Sequence, residues 1–345
     1  MENHMTAPTA SKISRRTFAA GAAALASIGF IRTPARAAAQ FTFKVGYPLP
    51  QGHPQHIRMT EAAAKILAAT NGRMQLQLFP NSQLGSDDSS VSQLRSGAME
   101  MYVGSDGVLS TVVADAAIEG VGFAFKSQPQ ALGAIDGPLG DLVRKQMLAA
   151  GIYPFGKCWV NGFRQIVTST KPIKTVDDLA GMKVRTPGAK LYVDMFKTLG
   201  ASPTPVNIPD VYAGLQTKII DAVEVPMAII EASKWYEPTK YLSITNHIWG
   251  NLFVVANLDA WKTLPPDIQA VMNREIDAAG LLERGDMLNA DVALRAKLQG
   301  QGLTVNDVAD LVPFRAKLKP FYTDMKSTFT PQAWSLLEKT TGPLT

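Results

Sequence analysis

Arg185 closes a short stretch, Met182-Lys-Val-Arg-Thr186, just before Pro187 and Gly188 break the chain. A guanidinium in that place offers a planar fork of donors, holds a carboxylate through two parallel hydrogen bonds, and stays charged at any physiological pH. Arg164, in Asn161-Gly-Phe-Arg-Gln165, supplies a second one. Two arginines converging on one cleft repel unless an anion lies between them, so the pair points to an acidic ligand. For each arginine alone, a solvated strand end or an internal ion pair is the competing reading.

Other chemistry has less to stand on. The chain has no Gly-x-Ser-x-Gly, and its one cysteine, Cys158, sits between Lys157 and Trp159 with no partner suggested by position. A hydrolase needs a nucleophile, a base and an orienting group in mutual reach, and no such set is recognisable. His53 and His56 have a spacing that could ligate a metal, but no second cluster accompanies them, so they read as a loop and helix start. His247 stands alone and reads as structural. The glycines of Gly120-Val-Gly-Phe123 and Gly137-Pro-Leu-Gly140 do not follow the strand-to-helix pattern of a phosphate loop. Binding without catalysis, cofactor or metal is the expectation.

The elements that must position these residues alternate strand and helix. Phe41, Phe43 and Val45 alternate with polar residues, a helix over 56–70 ends at Asn71-Gly72, and Met74–Phe79 alternates again. A helix over 87–95 and a strand over 100–103 follow. The rhythm restarts after Trp159: Thr175 and Asp178 have capping-box spacing, then come a strand over 182–186, helices over 189–199 and 210–217, and a strand over 221–225. This order predicts an α/β fold with mostly parallel sheets and puts Arg185 at the carboxyl end of a strand, where ligands sit in open α/β sheets.

With 345 residues and 46% hydrophobic composition, the chain exceeds one ordinary core and predicts two domains, 40–161 with 251–290 and 162–250 with 291–345. From Pro266 the apolar residues recur at helical spacing. A helix over 267–299 would be about 50 Å long and touch both domains; a break at Gly280 or Gly285 is the alternative.

The first 39 residues read as a leader. Ser14-Arg-Arg-Thr-Phe18 precedes an uncharged run from Ala19 to Ile31, and small residues around Ala37 and Ala39 offer cleavage sites, the pattern of a twin-arginine export signal. The leader holds Lys12, Arg15, Arg16, Arg32 and Arg36 against Glu2, so it carries nearly all of the formal +5 charge. What remains is close to neutral, which removes the compositional support for nucleic-acid binding. A single cysteine excludes an internal disulfide, so packing must supply the stability of an exported chain.

Six blocks, "FPNSQLG" (79–85), "NGFRQ" (161–165), "DDLAGMKVRTPG" (177–188), "LGASPTPVNIPDVYAGLQTKIIDAVEVP" (199–226), "KYLSITNH" (240–247) and "WKTLPPDIQ" (261–269), resemble in order and spacing the substrate-binding subunits of TRAP transporters, the DctP family. The resemblance implies a two-domain periplasmic-binding-protein-like fold of type II kind, each domain a mixed, mostly parallel sheet flanked by helices, with a long helix spanning both. It implies that Arg185 anchors a ligand carboxylate as a bidentate pair and that Arg164 is a second basic contact. One departure stands out: where sialic-acid-binding relatives read "QENP", this chain has Val223-Glu-Val-Pro226, so Val225 replaces an asparagine and Glu224 is counted with the site. Ile208 takes a place that is often aromatic, and Ser105 one that is a carboxylate in sialic-acid-type relatives. Trp249 and Phe253 are candidates for an apolar wall, Tyr47 and Asp106 for contacts from the opposite domain.

These residues favour a compact monocarboxylate with an apolar or aromatic body, or a hydroxy or keto acid. The implied role is a periplasmic, monomeric solute receptor with no cofactor that delivers its ligand to one small and one large membrane subunit. A secreted enzyme acting on a small acid, or the ligand-presenting subunit of a sensor, are the alternatives.

Overall fold

The computed structural model describes residues 39–344; the expected leader lies outside them except for Ala39. Strands β1 (Phe41–Gly46), β2 (Met74–Phe79) and β3 (Met101–Ser105) alternate with helices α1 (Pro54–Ala69) and α2 (Asp87–Ser96), and α3 (Asp106–Leu109) follows β3 directly. After the short β4 (Ile152–Pro154) comes the long β5 (Trp159–Thr168). The second α/β run is β6 (Lys183–Thr186), α4 (Lys190–Thr198), β7 (Ser202–Pro205), α5 (Ile208–Gln216), β8 (Ala222–Pro226) and α6 (Met227–Ala232). It is followed by β9 (Tyr241–Ile244), β10 (Trp249–Asn257), the 35-residue helix α7 (Pro266–Gly300) and β11 (Thr304–Asp307).

Hydrogen bonding joins the strands in the order β2-β1-β3-β10-β5-β8-β6-β7, with β9 on β5, β11 on β9 and β4 on β10. At either end the pairs are parallel: β1 with β2 and β3, β6 with β7 and β8. In the middle they are antiparallel, since β10 runs against β3 and β5, and β5 against β8. The two long strands were not anticipated from the sequence. Every residue of β10 is buried, so Trp-Gly-Asn-Leu-Phe-Val-Val-Ala-Asn lacks the alternation that marks a half-exposed strand. The β10–β5 register shifts between Gly250 and Asn251, and Gly162 in β5 adopts φ +95, a conformation that favours glycine. The chain thus crosses twice between the parallel halves at adjacent, locally irregular points.

Helix α7 is continuous. A Cβ at Gly280 would lie 2.7 Å from Trp159 Nε1, so this glycine serves close approach of the helix to β5 rather than a break. Along its length α7 is tied by Arg58–Asp286 to α1 (2.6 and 2.9 Å), by Val160 N–H donating to Glu283 Oε2 (2.8 Å) to β5, and by Lys297–Glu231 (2.7 Å) to α6. It therefore braces both halves of the strand ladder. Thr175 and Asp178 form the expected capping box, around the short turn Val176–Leu179.

Candidate functional site

The carboxyl ends of β1 and β3 face those of β6 and β8 across a narrow cleft of about 30 Å³. Leu49, Asp87 and Ser105 line it from one side, Arg164, Arg185, Ile208 and Val225 from the other, and Asn161 and Leu252 from the crossing strands. A recess of about 150 Å³ shares Asp87, Arg185 and Pro187 with it and opens toward Asp88, Thr111 and Asn207. A larger groove of about 360 Å³, between Phe123, Arg315, Tyr322 and Leu344, lies apart from these strand ends.

Arg185 is 2% exposed. Its Nε donates to the Val206 carbonyl (2.7 Å), which fixes the fork, and among the described residues no carboxylate lies within the 4.0 Å that defines an ion pair. Burial lowers its pKa to about 10, while Glu224 and Asp87 oppose that fall. The group remains charged at neutral pH, desolvated and without an opposite charge in contact, which is costly in the absence of an anion.

Arg164 differs. Its Nε and Nη2 donate to Glu224 Oε2 and Oε1 at 2.5 and 2.6 Å, Nη2 also donates to the Glu224 carbonyl (2.9 Å), and the guanidinium lies 4.9 Å from the Tyr192 ring centre. Burial works against this charge, yet the Glu224 carboxylate holds its pKa above the ordinary arginine value. The anion that lets two arginines share the cleft is thus partly internal. Arg164 still lines the cleft, already neutralised by an internal carboxylate, while Glu224 is not among the lining residues. Glu224 is fully buried; burial would raise its pKa, but Arg164 and the hydrogen bond with His247 hold it below the usual carboxylate value. His247 Nε2 lies 3.4 Å from Glu224 Oε2, and its Nδ1 meets Thr245 Oγ1 at 2.7 Å.

Ser105, Ile208 and Val225 line the cleft with the arginines. Tyr47, Asp106, Trp249 and Phe253 are not among the lining residues. The Tyr47 hydroxyl is bound to His56 Nδ1 (2.7 Å) and burial raises its pKa. Trp249 is core, edge-on to Phe125 at 6.1 Å, and Phe253 is buried in β10. Asp106 is fully buried and accepts from the Tyr192 hydroxyl and the Gly107 N–H, both at 2.8 Å. These side chains point into the core from strands and helices that do reach the cleft, so proximity in sequence misled.

Asp87 and Asn161 were missed. Asp87 opens α2, whose N-cap is Ser86, and it takes a hydrogen bond from the Tyr102 hydroxyl (2.8 Å). Burial raises its pKa, with Tyr102 and Arg185 opposing. The Ser-Asp-Asp run signalled only a helix start. The cleft thus combines one unpaired cation, hydrogen-bonding groups and an apolar wall of Leu49, Ile208, Val225 and Leu252, an arrangement that can seize a carboxylate and orient the body attached to it. Among the described residues there is no cluster of three or more His, Cys, Asp or Glu suited to a metal.

The chain is similar to known proteins over most of its length. The sequence model described as bacterial extracellular solute-binding protein, family 7 (DctP), matches residues 45–328. The 2,3-diketo-L-gulonate-binding periplasmic protein YiaO of Escherichia coli is 29% identical, covering 91% of this chain and 95% of its own. The sialic acid-binding periplasmic protein SiaP of Vibrio cholerae is 27% identical over 83% of this chain and 88% of its own. Among solved structures, a TRAP periplasmic solute-binding protein from Roseobacter denitrificans with bound β-D-glucuronate superposes with TM-score 0.83 at 27% identity, covering 87% of this chain and 99% of that one. One from Polaromonas sp. JS666 bound to D-erythronate gives TM-score 0.82 at 26% identity, covering 86% and 98%. The chain belongs to bacterial extracellular solute-binding protein family 7, the DctP family, and is a TRAP substrate-binding protein.

Proposed function

We propose that this protein captures a small hydroxylated monocarboxylate in the cleft and hands it unchanged to one small and one large membrane subunit of a TRAP transporter. The carboxylate sits on Arg185, and hydroxyl groups of the ligand meet Asp87, Asn161 and Ser105. The observation that carries this reading is the buried Arg185 fork, held by one carbonyl and matched by no carboxylate in contact. Sugar acids named with the similar structures, glucuronate and erythronate, support the polar half of the ligand.

The lobes that close are 40–161 with 251–290 and 162–250 with 291–345; the register shift at Gly250/Asn251 and the positive φ of Gly162 fall at these boundaries and support a hinge there. Binding to both lobes shifts the population toward the closed form. Export follows the twin-arginine route with cleavage near Ala37 or Ala39, and the receptor works as a periplasmic monomer.

A thermal-shift panel tests the reading. Glucuronate, erythronate, a short 2-hydroxy acid, benzoate and neutral glucose are compared, since a ligand at ~100 times its dissociation constant adds about 2.7 kcal/mol. Stabilisation by hydroxy acids, with the compound recovered unaltered, is expected. An equal response to glucose, no response to any acid, or chemical conversion of the compound overturns it.

A further inference from the structure

Near the crossing of β5 and β10, several polar atoms are buried with no hydrogen-bond partner among the described residues: Asp106 Oδ2, both carboxylate oxygens of Glu119, Asn161 Oδ1 and both amide atoms of Asn251. Each of these residues is at most 2% exposed. Buried polar groups are almost always satisfied, so a concentration of orphans calls for a missing partner. All but the Asn251 amide nitrogen are oxygen acceptors, and what such a set lacks is positive charge.

The side chains are neighbours. A Cβ at Gly120, next to Glu119, would lie 3.0 Å from Asp106 Oδ2; one at Gly250 would lie 3.6 Å from the same oxygen and 3.8 Å from Asn161 Cβ. Two glycines therefore leave room around the free oxygen of Asp106. Asn251 stands beside Glu119, outside hydrogen-bond geometry, and the β10 register shift lies between Gly250 and Asn251, a device that re-aims side chains. Asp106 Oδ1 is already occupied by Tyr192 and Gly107.

Arg164 and Arg144 act on Asp106 and Glu119 through space, but neither is in contact with them. The fork of Arg164 is spent on Glu224, and Arg144 is held by Asp141 and the Ile135 carbonyl. Two carboxyl groups thus share a buried site with amide groups and, among the described residues, no cation in contact.

We infer that Asp106, Glu119, Asn161 and Asn251 form a binding site for a small monovalent cation. Carboxylate and amide oxygens suit a hard ion, and the set contains no imidazole or thiolate that would select a transition metal. Calcium takes six to eight oxygens and magnesium keeps several waters; this small set, closed to solvent, supplies neither. Because Asp106 also receives Tyr192 from α4, the ion ties the β3 side of the cleft to the β6 side. This inference does not depend on which acid fills the cleft.

Unfolding of the mature chain, 40–345, is followed in EDTA at fixed ionic strength in sodium, potassium or choline chloride. A melting temperature roughly 3 °C or more higher in sodium or potassium than in choline, saturating with concentration and lost in Glu119→Gln, is expected. Equal melting in choline, a requirement for added calcium, or a sodium effect that persists in Glu119→Gln overturns the site. Should that variant not fold, thallium(I) soaked into crystals of the unmodified chain decides: an anomalous peak between these four residues supports the site, and its absence there overturns it.

Discussion

Arg164 and Glu224 face one another across β5 and β8 as a bidentate ion pair, 2.5 and 2.6 Å, with neither side chain more than 3% exposed. The pair neutralises one of the two arginines of the cleft and leaves the surplus charge on Arg185. In the proposed function, anchor and support are thereby divided between two residues of the same type.

Removing the anchor should abolish tight binding. Arg185→Ala loses a charge-assisted bidentate contact from a closed cleft, on the order of 2–5 kcal/mol, a rise in dissociation constant of at least about 30-fold. Arg185→Lys keeps the charge without the fork and should recover only part. Titration calorimetry with the best acid of the panel measures both; near-wild-type affinity in the alanine variant removes Arg185 from its role.

Breaking the support should cost stability first. Glu224→Gln strands a buried guanidinium, and loss of one partner of a buried pair costs about 3–5 kcal/mol. Replacing both partners with apolar residues, Arg164→Met with Glu224→Leu, should restore most of that, because the desolvation of both charges disappears together. Urea unfolding distinguishes the cases: a double variant as unstable as the single one would mean that the pair does more than balance charge.

Val225 tests the wall. Val225→Asn adds a donor and acceptor where the cleft is apolar and should favour more hydroxylated acids over less hydroxylated ones by about tenfold, the effect of one satisfied hydrogen bond of roughly 1.4 kcal/mol. Competition between erythronate and benzoate reads the ratio. No change in the ratio would mean that bound acids do not touch this position.

His53 makes stability depend on pH. It is fully buried, its Nδ1 accepts from the Gln55 N–H (3.2 Å) as the N-cap of α1, and burial lowers its pKa to about 3. Below pH 6.5 the unfolded chain takes up a proton that the folded chain refuses, so stability falls as pH drops from 6.5 toward 3, by a few kcal/mol at about 1.4 kcal/mol per pH unit. Unfolding of His53→Asn, which keeps a capping oxygen, should show a shallower acid slope. An unchanged slope would assign the effect to other groups.

Much of the fold was legible because local signals agreed with it. The helix stop at Asn71-Gly72, the capping box at Thr175 and Asp178, and the alternation in Met74–Phe79 all appear where the residues place them. The unbroken α7 and the long strands β5 and β10 were less legible. Gly280 looks like a breaker until Trp159 is seen against it, and a strand buried on both faces carries no period.

The sequence by itself determined the family, the α/β alternation and the position of Arg185 at a strand's carboxyl end, because motif order and strand–helix punctuation are properties of neighbouring residues. Only the tertiary structure decided that Arg164 is spent on Glu224, that Tyr47, Asp106 and Trp249 turn into the core, and that Asp87 and Asn161 reach the cleft. Those outcomes depend on which face of each strand or helix meets which partner, between residues such as Arg164 and Glu224 that are 60 positions apart. A charge's partner is set by distance in space, which spacing along the chain does not encode.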